Sequence, residues 1–201
     1  MSSNSAQAFR KARDRARLLV AAAGRPTSNS QASDHKETCL HAALAMLVAA
    51  WEAYLEQLIV ETQRTLTDPT HLRLTSVLSL LSAISLSEIK KFNTPNANNS
   101  RNLLFIHTGF DPLNAWLWSA GGLNAVQTRQ RLDEILRVRH CFAHGASIPL
   151  DIQWAKDRNS PGHLNKTVLQ MTDRFLSYLV EATDGGMATY VASTYGLPTP
   201  W

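Results

Sequence analysis

Several things are scarce in this chain, and each shortage narrows what it can be. Stretches that alternate apolar and polar residues with period two are missing, while Ala- and Leu-rich segments at three- and four-residue spacing recur, so the fold class is all-α with β content near zero. Cysteine is confined to Cys39 and Cys141, both inside helical patterns. That fits a reducing compartment better than a stapled secreted scaffold, and both thiols are expected to be buried. No continuous apolar run reaches the ~18–20 residues a bilayer requires, and the N-terminus opens polar. No membrane span is expected, and a cytoplasmic location is. A glycine-rich phosphate loop, a Cys-x-x-Cys pair and a His-Glu-x-x-His string are all missing, and no tandem repeat is visible.

What is present is a helical chain of 201 residues, 44% apolar and 18% charged. That length supplies one domain with a core large enough to fold without metal or disulfide. The expected architecture is an up-and-down bundle with long central helices. Residues 34–66 carry Leu40, Leu44, Leu47, Trp51, Leu55 and Leu58 at helical spacing, making this the longest helix, with Ser33 or Asp34 as its cap and Glu37 completing a capping box. Trp51 is expected in the core with its indole nitrogen satisfied, and Glu52 and Glu56 in solvent. Asp68 and Pro69 open a serine-rich apolar helix running to about residue 91, with a bend or break near Ile84. Residues 93–100 read as a polar loop and 102–107 as a short helix closed by Gly109. Trp116 and Trp118 then fall in an irregular stretch expected to pack across the bundle ends. A final helix from His163 to Ala182 is expected to stop at Asp184, Gly185 and Gly186. The domain boundaries are accordingly a basic N-terminal helix and mobile linker over 1–33, the helical domain over 34–183, and a tail over 184–201.

The net charge of +4 is unevenly placed. Residues 1–25 hold Arg10, Lys11, Arg13, Arg15, Arg17 and Arg25 against Asp14 alone, so the rest of the chain is close to neutral. Arg10, Lys11, Arg13, Arg15 and Arg17 are the candidate nucleic-acid-binding residues, since such an arm attracts phosphate backbones. The same arm suits an anionic membrane surface, or simply a solvated helix.

The most informative stretch is 123–145, LNAVQTRQRLDEILRVRHCFAHG. It reads as one helix ending at Gly145, with Leu132, Ile135, Leu136, Phe142 and Ala143 as its apolar stripe. Arg139 lies on that stripe, seven residues after Leu132. An arginine directed at packed apolar surface must be paired or must await an anion, because an unpaired one costs several kcal/mol. His140 and His144 follow at i, i+4 spacing, which would suit a metal, but no third ligand lies on that face and no metal is assigned. His144 near the helix C-terminus also suits a capping cation. The sharper chemistry is phosphodiester cleavage: Arg139 can hold a phosphate bidentately, and His144 can move protons near neutral pH. Five helical residues set these two side chains about 140° apart and ~7.5 Å along the axis, so they do not converge within one helix. A two-fold contact between two copies would gather them.

The string Arg-His-Cys-Phe-Ala-His-Gly resembles the R-x4-6-H motif of the HEPN superfamily, with Arg139 and His144 at the positions of its arginine and histidine. Trp51-Glu52 in the long helix is similar to the Trp-Glu of the RiboL-PSP branch, and the likeness extends from about Asp34 to Ala182. The resemblance implies a helical homodimer whose composite site cuts RNA without a metal or cofactor, leaving a 2′,3′-cyclic phosphate. It also implies a toxin or antiviral effector, which an antitoxin or other inhibitory partner would restrain. Arg139 and His144 would then be catalytic. His140, standing where asparagine is frequent, would be the supporting residue, with one donor in place of an amide's set. The competing account is a non-catalytic RNA- or protein-binding dimerisation module.

Overall fold

The computed structural model describes residues 2–24, 32–67, 72–149, 151–155, 164–197 and 200–201, with the side chains of 32–33, 72–75 and 153 left aside. The expected linker over 25–31, the helix start at Asp68 and Pro69, and the start at His163 lie outside the described residues, as does the Ser33 side chain.

Everything else is organised around α2 (Ala32–Leu66), whose 35 residues make a rod ~52 Å long. Its apolar stripe from Leu40 to Ile59 is buried. Residues 34–66 are long and apolar enough to cross a membrane, and 56% of the most apolar window is covered within the fold, so the stripe finds its partners among the other helices. Asp34 lies in the first turn of α2 rather than before it, which moves the helix start ahead of the expected capping box.

The remaining elements are α1 (Asn4–Ala22), α3 (Leu72–Ile89), α4 (Ala97–Thr108), α5 (Ala125–Ala143) and α6 (Lys166–Tyr195), with short 3-10 turns at 112–114, 119–121 and 153–155. No strand occurs among the described residues, and the fold is all-α as expected.

The N-terminal helix is a member of the bundle, not an arm beside it. Ala6, Phe9 and Ala16 are buried in the common core. Two carboxylates hold the positive end of α1. Asp184 accepts from the Ser3 backbone N–H at 3.1 Å and from its hydroxyl, while Glu61 accepts from the N–H groups of Asn4 and Ser5 at 2.9 and 3.0 Å. These are the donors a helix start leaves unsatisfied, and negative charge is favoured there. The boundary expected at residue 33 therefore separates no packing unit.

The expected stop at Asp184–Gly186 is also overturned, since α6 runs on to Tyr195 and is capped by Gly196. Asp184 is occupied by Ser3, and Gly186 is where the ring of Phe110 meets the helix: a Cβ there would lie 2.8 Å from Phe110 Cζ. Packing, not termination, accounts for that glycine. The loop expected over 93–100 is shorter, because Asn96 accepts from the Asn99 N–H and starts α4 at Ala97. α3 runs unbroken through Ile84.

Trp51 sits in the core as expected, but Trp116, expected across the bundle ends, packs edge-on against Trp51 near the middle of α2. Trp51 is fully buried and donates to Pro95 O at 3.2 Å. Trp116 is likewise buried and donates to Thr183 Oγ1 at 2.9 Å, and Trp118 packs edge-on against Phe175.

Candidate active site

α5 opens with a complete capping box, Asn124 accepting from the Gln127 N–H and the Gln127 side chain accepting from Asn124 N–H. Leu132, Ile135, Leu136 and Val138 are its buried face; Phe142 is half-buried, and Ala143, expected on the stripe, is exposed. The helix closes in a Schellman turn: Ala146 N–H reaches Cys141 O at 2.8 Å, Gly145 N–H reaches Phe142 O at 3.2 Å, and Gly145 has φ +66°. A side chain at that φ would be strained, so glycine closes the helix immediately after His144. The chain then doubles back along α5. Asp151 pairs with Arg137 at 2.8 Å, Trp154 donates to Glu134 at 2.6 Å and lies under Arg131, and Ile148, Ile152 and Ala155 are buried. These contacts make 146–149 and 151–155 a strap that holds the end of α5.

Three side chains occupy this end. Arg139 is half-buried and has no ion pair or hydrogen bond among the described residues. Its field reaches Glu52 on α2, whose carboxyl burial pushes above its usual value while Arg139 pulls it back down. Glu56, one turn further along, is pushed up by burial and by Glu52. Glu52 and Glu56 were expected in solvent; both are half-buried. His140 and His144 are exposed, with ring centroids 4.3 Å apart, and His144 is the C-cap residue at the negative end of the helix. The two histidines come together, whereas no hydrogen bond or cation–π contact joins Arg139 to His144 within one copy. A fourth residue, His41 on α2, stacks on Phe142 with centroids 3.6 Å apart and planes 16° from parallel. It ties the motif turn to α2, and only the tertiary fold brings it there.

The basic residues of α1 divide into two groups. Arg17 binds Asp173 on α6 at 2.7 Å, Arg13 lies 3.8 Å from the same carboxylate, and Arg10 donates to Ser2. Lys11 and Arg15 are exposed and have no ion-pair partner among the described residues. A cleft of about 410 Å³ between α1 and α6 adds Lys166 and Arg174 to this side. Cys39 is buried as expected, but Cys141 is half-buried. Among the described residues no cluster of three potential metal ligands occurs.

A helical bundle that delivers an arginine and a histidine, four residues intervening, to the closing turn of a core helix is a domain of the HEPN class. The model of the RiboL-PSP-HEPN family matches residues 12–184, and the chain belongs to that family. No curated protein and no solved structure matches it.

Proposed function

We propose that the protein is a cytoplasmic, metal-independent endoribonuclease whose active site forms where two copies bring their α5 ends together. The observation that carries the reading is Arg139: a half-buried cation with no ion pair among the described residues, on the helix end that also carries two exposed imidazoles. A guanidinium left without a carboxylate partner can grip a phosphate with two parallel hydrogen bonds.

The chemistry needs only groups of this chain. The 2′-hydroxyl of RNA attacks the adjacent phosphorus, and His144 takes its proton. The bond from phosphorus to the 5′-oxygen breaks, and the partner subunit's His144 returns a proton to that oxygen. The products are a 2′,3′-cyclic phosphate and a 5′-hydroxyl. Arg139 offsets the charge that gathers on the non-bridging oxygens. His140, whose ring centroid lies 4.3 Å from that of His144 with the planes tilted by 56°, supports it in place. Lys11 and Arg15 on α1 contribute phosphate contacts along the RNA. Unchecked cleavage of this sort suits a toxin or an antiviral effector held by an inhibitory partner.

The test is cleavage of single-stranded RNA in EDTA by the parent and by His144→Ala. The parent is expected to cut and the variant to be slower by roughly 10²–10⁴-fold. Equal cutting by the two proteins, or abolition of cutting by the chelator, refutes the mechanism. Salt-sensitive RNA binding that survives His144→Ala without any cleavage by the parent would instead identify the binding module.

A further inference from the structure

α3 is apolar on both of its faces. Leu78, Ser82, Ser85 and Ile89 recur at helical spacing on the inner side, where Ser85 and Ile89 are buried. Gln63 of α2 donates to Ser85 Oγ at 2.7 Å, and the Ser85 hydroxyl bonds His107 Nδ1 of α4 at 2.9 Å. The outer side carries Val77, Leu80, Leu81 and Ile84, which remain 54%, 63%, 50% and 50% exposed, and Ile106, next to His107, is 72% exposed. A helix that is hydrophobic all round is normally covered all round. Here one side has no cover among the described residues.

We propose that a second copy of the chain covers it, α3 packing antiparallel on the partner's α3. The outer residues argue for self-pairing. Val77, Leu80, Leu81 and Ile84 are placed symmetrically about the midpoint between Leu80 and Leu81. A two-fold axis there sets Val77 against the partner subunit's Ile84 and Leu80 against the partner subunit's Leu81, the self-complementarity an isologous contact requires. No charged residue lies between Ser76 and Ser87, so the face has no charge pattern with which to select a foreign partner.

Size agrees. Val77, Leu80, Leu81 and Ile84 expose on the order of 400 Å² of apolar surface, within the range of the largest patch on an isolated soluble chain and about half of the ~800 Å² each partner brings to a standard interface. At 14 residues the apolar stretch from Ser76 to Ile89 is too short to span a bilayer.

This seam is separate from the catalytic pairing. α2 meets the motif turn through His41 and meets α3 through Gln63, positions ~33 Å apart along its axis. The proposal does not depend on ribonuclease activity, and its test does not read it. Sedimentation equilibrium of the full chain at tens of micromolar compares the parent with the double variant Leu80→Glu/Ile84→Glu, circular dichroism checking that both are folded. The variant is expected to show half the mass of the parent. Leu80→Cys, close to the axis, is expected to form an intermolecular disulfide under mild oxidation, and Lys11→Cys on α1 is not. A parent that is monomeric, including one that binds lipid vesicles through this face, overturns the proposal. So does a folded double variant of unchanged mass, or equal cross-linking from positions 80 and 11.

Discussion

Asp173→Asn isolates what the arginines of α1 do. Asp173 is buried on α6, receives Arg17 Nε at 2.7 Å, and has Arg13 Nε at 3.8 Å, the Arg13 side chain being only 18% exposed. Asparagine keeps the shape and one acceptor oxygen but removes the charge. A hydrogen bond to a charged group contributes about 1.5–3 kcal/mol and a neutral one about 0.5–1.5, so the exchange should cost about 1–2 kcal/mol. Arg17, half in solvent, recovers part of its hydration, which keeps the figure well below the 3–5 kcal/mol of a fully buried broken pair. For a chain of this length the melting temperature should fall by about 2–8 °C, read by circular dichroism. The same change releases Arg13 and Arg17 toward solvent. RNA affinity measured by fluorescence anisotropy should therefore rise, with a steeper dependence on salt. An unchanged melting temperature would refute a structural role for these arginines, and weaker RNA binding would refute the idea that Asp173 withholds them.

Two adjacent glycines should respond in opposite directions. Gly185→Ala meets nothing within 4 Å and should stabilise α6 by about 0.5–1 kcal/mol, while Gly186→Ala presses on Phe110 and should destabilise by about 1–3 kcal/mol; equal melting shifts would contradict this. Glu56 has a folded-state pKa raised above the ordinary 4.5, so its penalty is absent below that pH and fully present once pH exceeds the raised value. Glu56→Gln should raise the melting temperature by about 1–2 °C at pH 7 and leave it unchanged at acid pH, since water screens a group this exposed. A gain of the same size at both pH values would refute the assignment. Burial lowers the pKa of His107 against the opposing pull of Glu88, so its contribution is present above the ordinary 6.5 and is lost as pH falls through the lowered value. The parent should lose more stability than His107→Asn between pH 7 and 5, and parallel melting curves would count against it.

The long helices were legible because periodicity alone defines them. The 34–66 pattern differs from α2 by two residues, and 123–145 encloses α5 with its closing glycine. Where local signals misled, a tertiary partner had overridden them. Asp184 and two glycines spell a helix end, yet Ser3 occupies the carboxylate and Phe110 requires the small residue. Asn96 and its neighbours spell a loop, yet Asn96 caps a helix. At the site, the position of Arg139 on an apolar stripe and its divergence from His144 both follow from helix geometry. Glu52 near Arg139 and His41 on Phe142 do not, because each joins α2 to α5 across roughly 90 to 100 residues of sequence. The exposed side of α3 was hidden for a related reason: a pattern shows that residues are apolar, not whether this chain covers them.

The most direct test of the composite site is mixing. Arg139→Ala and His144→Ala are each expected to be inactive on single-stranded RNA in EDTA. Unfolded together and refolded as a mixture, they should form pairs that hold one intact arginine and one intact histidine in a shared cleft; with the second histidine of the mechanism missing, cleavage should return to a small fraction of the parent rate, yet one measurably above either variant alone. A mixture that stays inactive although mixed pairs are demonstrated by mass, or single variants that cut as well as the parent, would contradict a site shared between two copies.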